Sequence, residues 1–130
     1  MTNRVTTPDI RPFVDAVLGK SYQEYDCWNL VRHLYRQGFG FDLVRDTNAA
    51  ALRFQEVWYR GQGDPLTVVE PWDLVIIAND DALPVSDHVG VVVDAQTFIH
   101  ARPSETGAAI GRLRTWKSRL LQLARLRELL

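Results

Sequence analysis

The sequence predicts an α+β domain, helices first and a mostly antiparallel sheet after them, on three observations. Apolar residues recur at three and four in the first part of the chain, and give way about halfway along to short β-branched or alternating runs. No repeat or low-complexity segment interrupts that order. At 130 residues the chain can bury an ordinary core without staples, so residues 1–130 are expected to form one domain.

The elements follow in order. After Pro8 and Asp9, Ile10, Phe13, Val14, Val17 and Leu18 mark a short amphipathic helix that Gly19 stops. The next helical face carries Cys27, Leu30, Val31, Leu34 and Tyr35, with Asp26 as N-cap and Gly38 as C-cap, which puts Cys27 in the first turn. A third helix is expected over 47–59, where Ala50, Ala51, Phe54, Val57 and Trp58 share a stripe and Gly61-Gln62-Gly63-Asp64-Pro65 ends it. Strands are expected at 72–78, 88–93, 98–101 and 109–113, each bounded by turn residues. The stretch from Trp116 to Leu130 combines helix formers with alternation and is assigned a short turn of helix followed by a closing strand.

Composition excludes several classes of function. Fifteen basic against sixteen acidic residues leave a net charge of −1, which gives no electrostatic case for nucleic acid or an anionic membrane as partner. One cysteine forms no internal disulfide, and no companion cysteine or histidine pair has zinc-site spacing, so neither a metal nor another cofactor is expected. The N-terminus lacks an apolar signal core, and no stretch has bilayer-spanning length. Synthesis in the cytoplasm without a signal peptide is therefore expected, and a target outside it requires separate delivery. A local basic bias at Arg112, Arg114, Lys117, Arg119, Arg125 and Arg127 reads as a solvated edge, or else as a docking surface for an acidic partner.

The chemistry-bearing residues are few. Cys27 sits where a polar turn meets a helix, so helical amides and their dipole favour a thiolate, the form of sulfur that attacks carbonyls. His88 opens one strand-like run and His100 closes the next, with Asp94-Ala95-Gln96 between them; antiparallel pairing brings the two imidazoles together. A thiol nucleophile, an imidazole base and a second imidazole to orient it follow from that pattern. His33 lies six positions beyond Cys27, on a different side of the helix, and is expected to be solvated. Asp26 is better explained as a cap than as a catalytic carboxylate, and Asp73 as a structural tie to nearby amides. Trp28 and Tyr25 flank the nucleophile as cleft walls or core.

The ordered set Tyr25-Asp26-Cys27 opening a helix, Asp73-Leu74-Val75, His88-Val89-Gly90 and Phe98-Ile99-His100-Ala101 resembles the NlpC-type cell-wall cysteine peptidases, a papain-like superfamily. The resemblance covers the chain from about Gly19 to Ala101, and weakly Leu113, Thr115, Trp116 and the arginine-rich end, and implies a papain-like fold in which N-terminal helices pack on the sheet. It implies Cys27 as nucleophile, His88 as general base and His100 as the residue that orients it. Tyr22 matches the family's substrate-side tyrosine and, with the Cys27 amide, would serve the oxyanion; Trp28 would line the substrate. The implied substrate is the peptidoglycan stem peptide, particularly the bond between D-glutamate and diaminopimelate.

Asp26-Cys27-Trp28 with the following Leu30-Val31-Arg32 looks most like members carried by phage tails, which would deliver the enzyme to the wall. Three departures stand out: a shortened loop before the cysteine, Asn29 where the family has glycine, and Trp72 where glycine precedes the Asp-Leu-Val strand. Two other readings keep the fold but change the role. One is a structural or assembly component of a phage-like tail; the other is an amidase or acyltransferase acting on another substrate.

Overall fold

A computed structural model describes residues 7–21, 23–43, 53–78, 88–102 and 107–130 of the protein. Among these residues two helices, α1 (Arg11–Val17) and α2 (Cys27–Phe39), precede a six-stranded sheet. The strands are β1 (Phe54–Tyr59), β2 (Leu74–Ile77), β3 (His88–Val92), β4 (Thr97–Arg102), β5 (Gly107–Arg112) and β6 (Leu120–Leu126), and a one-turn helix, α3 (Leu113–Trp116), links the last two. Every pairing is antiparallel, in the order β1-β6-β2-β3-β4-β5. The expected closing strand is thus present, and it inserts between β1 and β2.

Both faces of the sheet are covered, which is why β2 and β3 read as near-continuous apolar runs. On one face Ile10, Val14, Leu30, Leu34 and Tyr35 of the helices pack against Leu74, Val91 and Ile99. On the other, Val75, Val92, Phe98 and Leu123 are covered by Trp58, Leu113, Val68 and Trp116.

One expected helix is overturned. Residues 54–59 form β1, paired with β6 from Phe54↔Leu126 to Tyr59↔Gln122, while the first part of the expected span, 47–52, lies outside the described residues. The cause is a bulge between Glu56 and Trp58, which breaks the two-residue period. Phe54 then packs on the helix-side core and Trp58 on the far face, so a strand carries apolar spacing that mimics a helical stripe.

The end of α2 also differs from expectation. Asp26 does cap the start, accepting from the Asn29 amide at 2.8 Å, but the C-cap is Gly40, at φ 79°, and not Gly38. Gly38 lies within the helix, where a Cβ would run into the ring of Trp72. Its role is space for that indole.

Trp72 itself takes φ 76°, the left-handed conformation that favours glycine and costs an ordinary side chain about 1–2 kcal/mol. A tryptophan thus occupies a backbone shape that glycine takes without strain, with compensation from its side chain. The Trp72 indole donates to the Pro8 carbonyl at 2.8 Å and packs on Phe13, Tyr35 and Phe39. Its carbonyl accepts from the buried Tyr35 hydroxyl, whose pKa burial pushes well above the usual phenol value.

Arg125, read as part of a solvated basic edge, instead holds a buried carboxylate. Its Nε and one terminal amino group donate to the two oxygens of Asp73, both at 2.8 Å, and Asp73 is wholly buried. The Glu70 amide donates to the same carboxylate at 2.9 Å. This pair ties the start of β2 to β6.

Candidate active site

The two histidines are placed by strand pairing. β3 and β4 are in register at Val91↔Ile99 and Val92↔Phe98, so Gly90 comes opposite His100 and His88 one diagonal step away. His88 Nε2 and His100 Nδ1 lie 2.8 Å apart, with ring centroids at 5.1 Å and planes at 68°. His100 shares the sheet face of Phe98, whose ring centroid is 4.7 Å from its own. Room for both rings comes from two glycines. A Cβ at Gly90 would meet Phe98 Cδ2 at 2.9 Å, and one at Gly111 would meet the Phe98 ring at 2.8 Å and His100 Nε2 at 3.1 Å.

His100 is only 1% exposed, and burial, reinforced by the neighbouring His88 and Arg102, lowers its pKa to about 3. It is therefore the neutral member of the pair, and a neutral imidazole accepts through the nitrogen that carries no proton. Taking His100 Nδ1 as that acceptor, His88 donates from Nε2, which makes Nδ1 the basic nitrogen of His88. The pair is then arranged as a base and the group that fixes its tautomer.

Cys27 is the first residue of α2, half-buried and packed against the helix-side core. Its position relative to the sheet is set by the segment before it. Gly19 donates to the Ala108 carbonyl and Ala108 to the Lys20 carbonyl, both at 2.9 Å, so the chain leading to the helix runs beside the start of β5. Gly107, at φ 82°, permits this, since a Cβ there would occupy the Lys20 carbonyl. Gly107 in turn pairs with Arg102 and Ala109 with His100. The end of the sheet that carries the histidines is therefore the end to which the approach to Cys27 is bonded.

The remaining expected residues divide. Tyr22 lies outside the described residues. Trp28 is half-buried against the helix-side core, with an indole N–H that is buried and unpaired among the described residues. His33 is a correction: it is half-buried, its ring 4.9 Å from that of Tyr25, and burial, with Arg36 nearby, lowers its pKa. Tyr25 thus packs on His33 as well as on the helix-side core. Among the described residues no group of three or more His, Cys, Asp or Glu side chains is placed to hold a metal ion, and no helix is long and apolar enough to cross a membrane.

Trp116, which falls in the weak extension of the resemblance and is given no role there, meets the His100 ring edge-on at 5.2 Å and 80°. No local spacing predicts that contact, because Trp116 comes from α3, beyond the strand after His100.

The profile of the NlpC/P60 family matches residues 16–125, a span that contains Cys27, His88 and His100. The chain belongs to the NlpC/P60 family of cysteine peptidases. Solved structures agree on the fold of this NlpC/P60 domain. The NlpC/p60 domain of the peptidoglycan hydrolase SagA superposes with a TM-score of 0.68 at 17% identity, over 94% of this chain and all of that one. An NlpC/P60 family protein of Bacillus cereus gives 0.68 at 20% identity, over 96% of this chain and 42% of its own length. A lipoprotein-like NLP/P60 family protein of Staphylococcus aureus gives 0.67 at 19%, over 97% and 44%. The chain thus spans less than half of the latter two proteins. A comparison with curated proteins finds no match.

Proposed function

We propose that this NlpC/P60 protein is a cysteine peptidase that hydrolyses an amide bond in peptidoglycan stem peptides, using Cys27, His88 and His100. The observation that carries the reading is the bond from His88 Nε2 to a buried His100, formed at the end of the sheet to which the approach to Cys27 is bonded. The family supplies the reaction class, and SagA, a peptidoglycan hydrolase by name, supports the wall as substrate.

In the proposed reaction His88 Nδ1 takes the Cys27 proton, and the thiolate attacks the amide carbonyl carbon. The tetrahedral intermediate expels the amine, which leaves with the proton from His88, and a thioester remains on Cys27. Water, deprotonated by His88, cleaves the thioester, and the proton returns to sulfur. In this reading the Cys27 amide at the start of α2 donates to the oxyanion, with Tyr22 as its partner by resemblance and Trp28 beside the substrate. Asp26 binds the Asn29 amide and so fixes the first turn on which the sulfur sits. The D-glutamyl–diaminopimelate bond is the proposed target, and a phage tail or similar particle the proposed carrier.

The test compares wild type with Cys27→Ala for release of soluble peptides from purified cell walls, at matched circular dichroism. The variant should release peptide at least about 10³-fold more slowly, because members of such a site act as a unit. Equal release would end the enzyme reading and leave the structural one.

A further inference from the structure

We infer that Trp116 is a positioning residue for the histidine pair, its indole edge closing the His100 ring from water and setting the plane in which His100 meets His88. The inference rests on the proposed catalytic roles of that pair and adds to it a side chain from a different part of the chain.

The geometry is a stack with few degrees of freedom. The Trp116 ring stands edge-on to His100 (5.2 Å, 80°) and to Phe98 (6.0 Å, 88°), so one indole contacts both of the rings that the two glycines accommodate. Two guanidinium groups lie over the indole, that of Arg119 at 4.1 Å and that of Arg102 at 5.0 Å from the ring centroid. Cation–π attraction of this kind restrains the ring against tipping away. Arg119 belongs to the 3₁₀ turn after α3 and Arg102 to β4 itself, so the clamp spans the sheet and the segment that covers it.

The consequence for the site is directional. A second imidazole orients a base only while it remains an acceptor in one tautomer and one plane. Water admitted to His100 would let the ring exchange tautomers and take up protons. Among the described residues, the charged or titratable groups placed around it include His88 from β3, Arg102 from β4 and, across the indole, Arg119, while β5 brings Gly111 against the ring.

The test is histidine-labelled NMR on the full chain, with kinetics on cell walls alongside. In wild type, His100 should show one tautomer, protonated on Nε2, and no titration from pH 8 to pH 5. Trp116→Phe, which keeps an aromatic edge, should preserve that spectrum, whereas Trp116→Ala should give mixed tautomers or titration within the window. Trp116→Ala should lower kcat by about 10- to 100-fold with KM within about threefold, and Trp116→Phe should recover most of the loss.

A wild-type His100 that titrates or exchanges tautomers in that window would overturn the inference without any variant. A folded Trp116→Ala with the wild-type histidine spectrum would overturn it as well. If Cys27→Ala releases as much peptide as wild type, the peptidase reading fails, while the NMR comparison still decides the role of Trp116.

Discussion

With its pKa lowered to about 3, His100 stays neutral at the pH values at which a thiol–imidazole site operates, which makes it an acceptor for His88 and not a second base. The same burial couples it to stability. A histidine in the unfolded chain takes up a proton below about pH 6.5, and His100 in the native state does not until about 3. Its contribution is therefore complete above the unfolded value and is lost as pH falls towards the folded one. Urea midpoints at pH 7 and pH 4.5 should show His100→Asn losing less stability on acidification than wild type, by a difference on the order of 2 kcal/mol. Equal losses would contradict the buried neutral state. At this scale the placement of Cys27 at a helix start and the meeting of His88 with His100 from neighbouring strands were legible in the sequence, because helix starts and strand runs are local signals. The packing of Trp116 on that pair was not, since its contacts to His100 and Phe98 cross from α3 to a strand two elements earlier.

Among the elements, α2 carries the most local information and also an exception to it. Helix propensity alone makes Gly38 a weak point, and in an exposed helix glycine to alanine gains about 1 kcal/mol. Here the added methyl would strike the Trp72 ring, which is fully buried among Phe13, Tyr35 and Phe39. Gly38→Ala should therefore lower stability by about 1–3 kcal/mol, the range for overpacking a filled core, and thermal melts would read the sign directly. A rise in Tm would show that the ring moves aside. β1 was illegible for a related reason: the bulge at Glu56/Trp58 is fixed by pairing with β6, more than sixty residues away, and that pairing turns a helix-like pattern into a strand. Where pattern and pairing agreed, as in β3 and β4 around the Asp94 turn, the elements were readable.

On the scale of the whole molecule, the sequence order of helices then strands announced an α+β fold, but the sheet is closed by a return of the chain that no local pattern encodes. β6 enters between β1 and β2, and Arg125 on it reaches the buried Asp73. Burial pushes the Asp73 carboxyl above the ordinary range against the pull of Arg125, while hydrogen bonding to Asp73 raises the guanidinium. Removing one partner leaves the other stranded, so Arg125→Ala should cost about 3–5 kcal/mol, whereas Asp73→Asn with Arg125→Met should recover much of it. Denaturant titration of the three proteins checks this.

The proposed site needs one sulfur beside two imidazoles at the junction of helix and sheet, and alkylation reads that junction. The decisive measurement is the pH dependence of iodoacetamide modification of Cys27 in the folded protein, compared with His88→Ala. Wild type should react well below the range near pH 8.5 in which an ordinary thiol ionises, and the variant should lose that low-pH reactivity. Identical profiles in the two proteins, or modification only after denaturation, would contradict a thiolate–imidazole site.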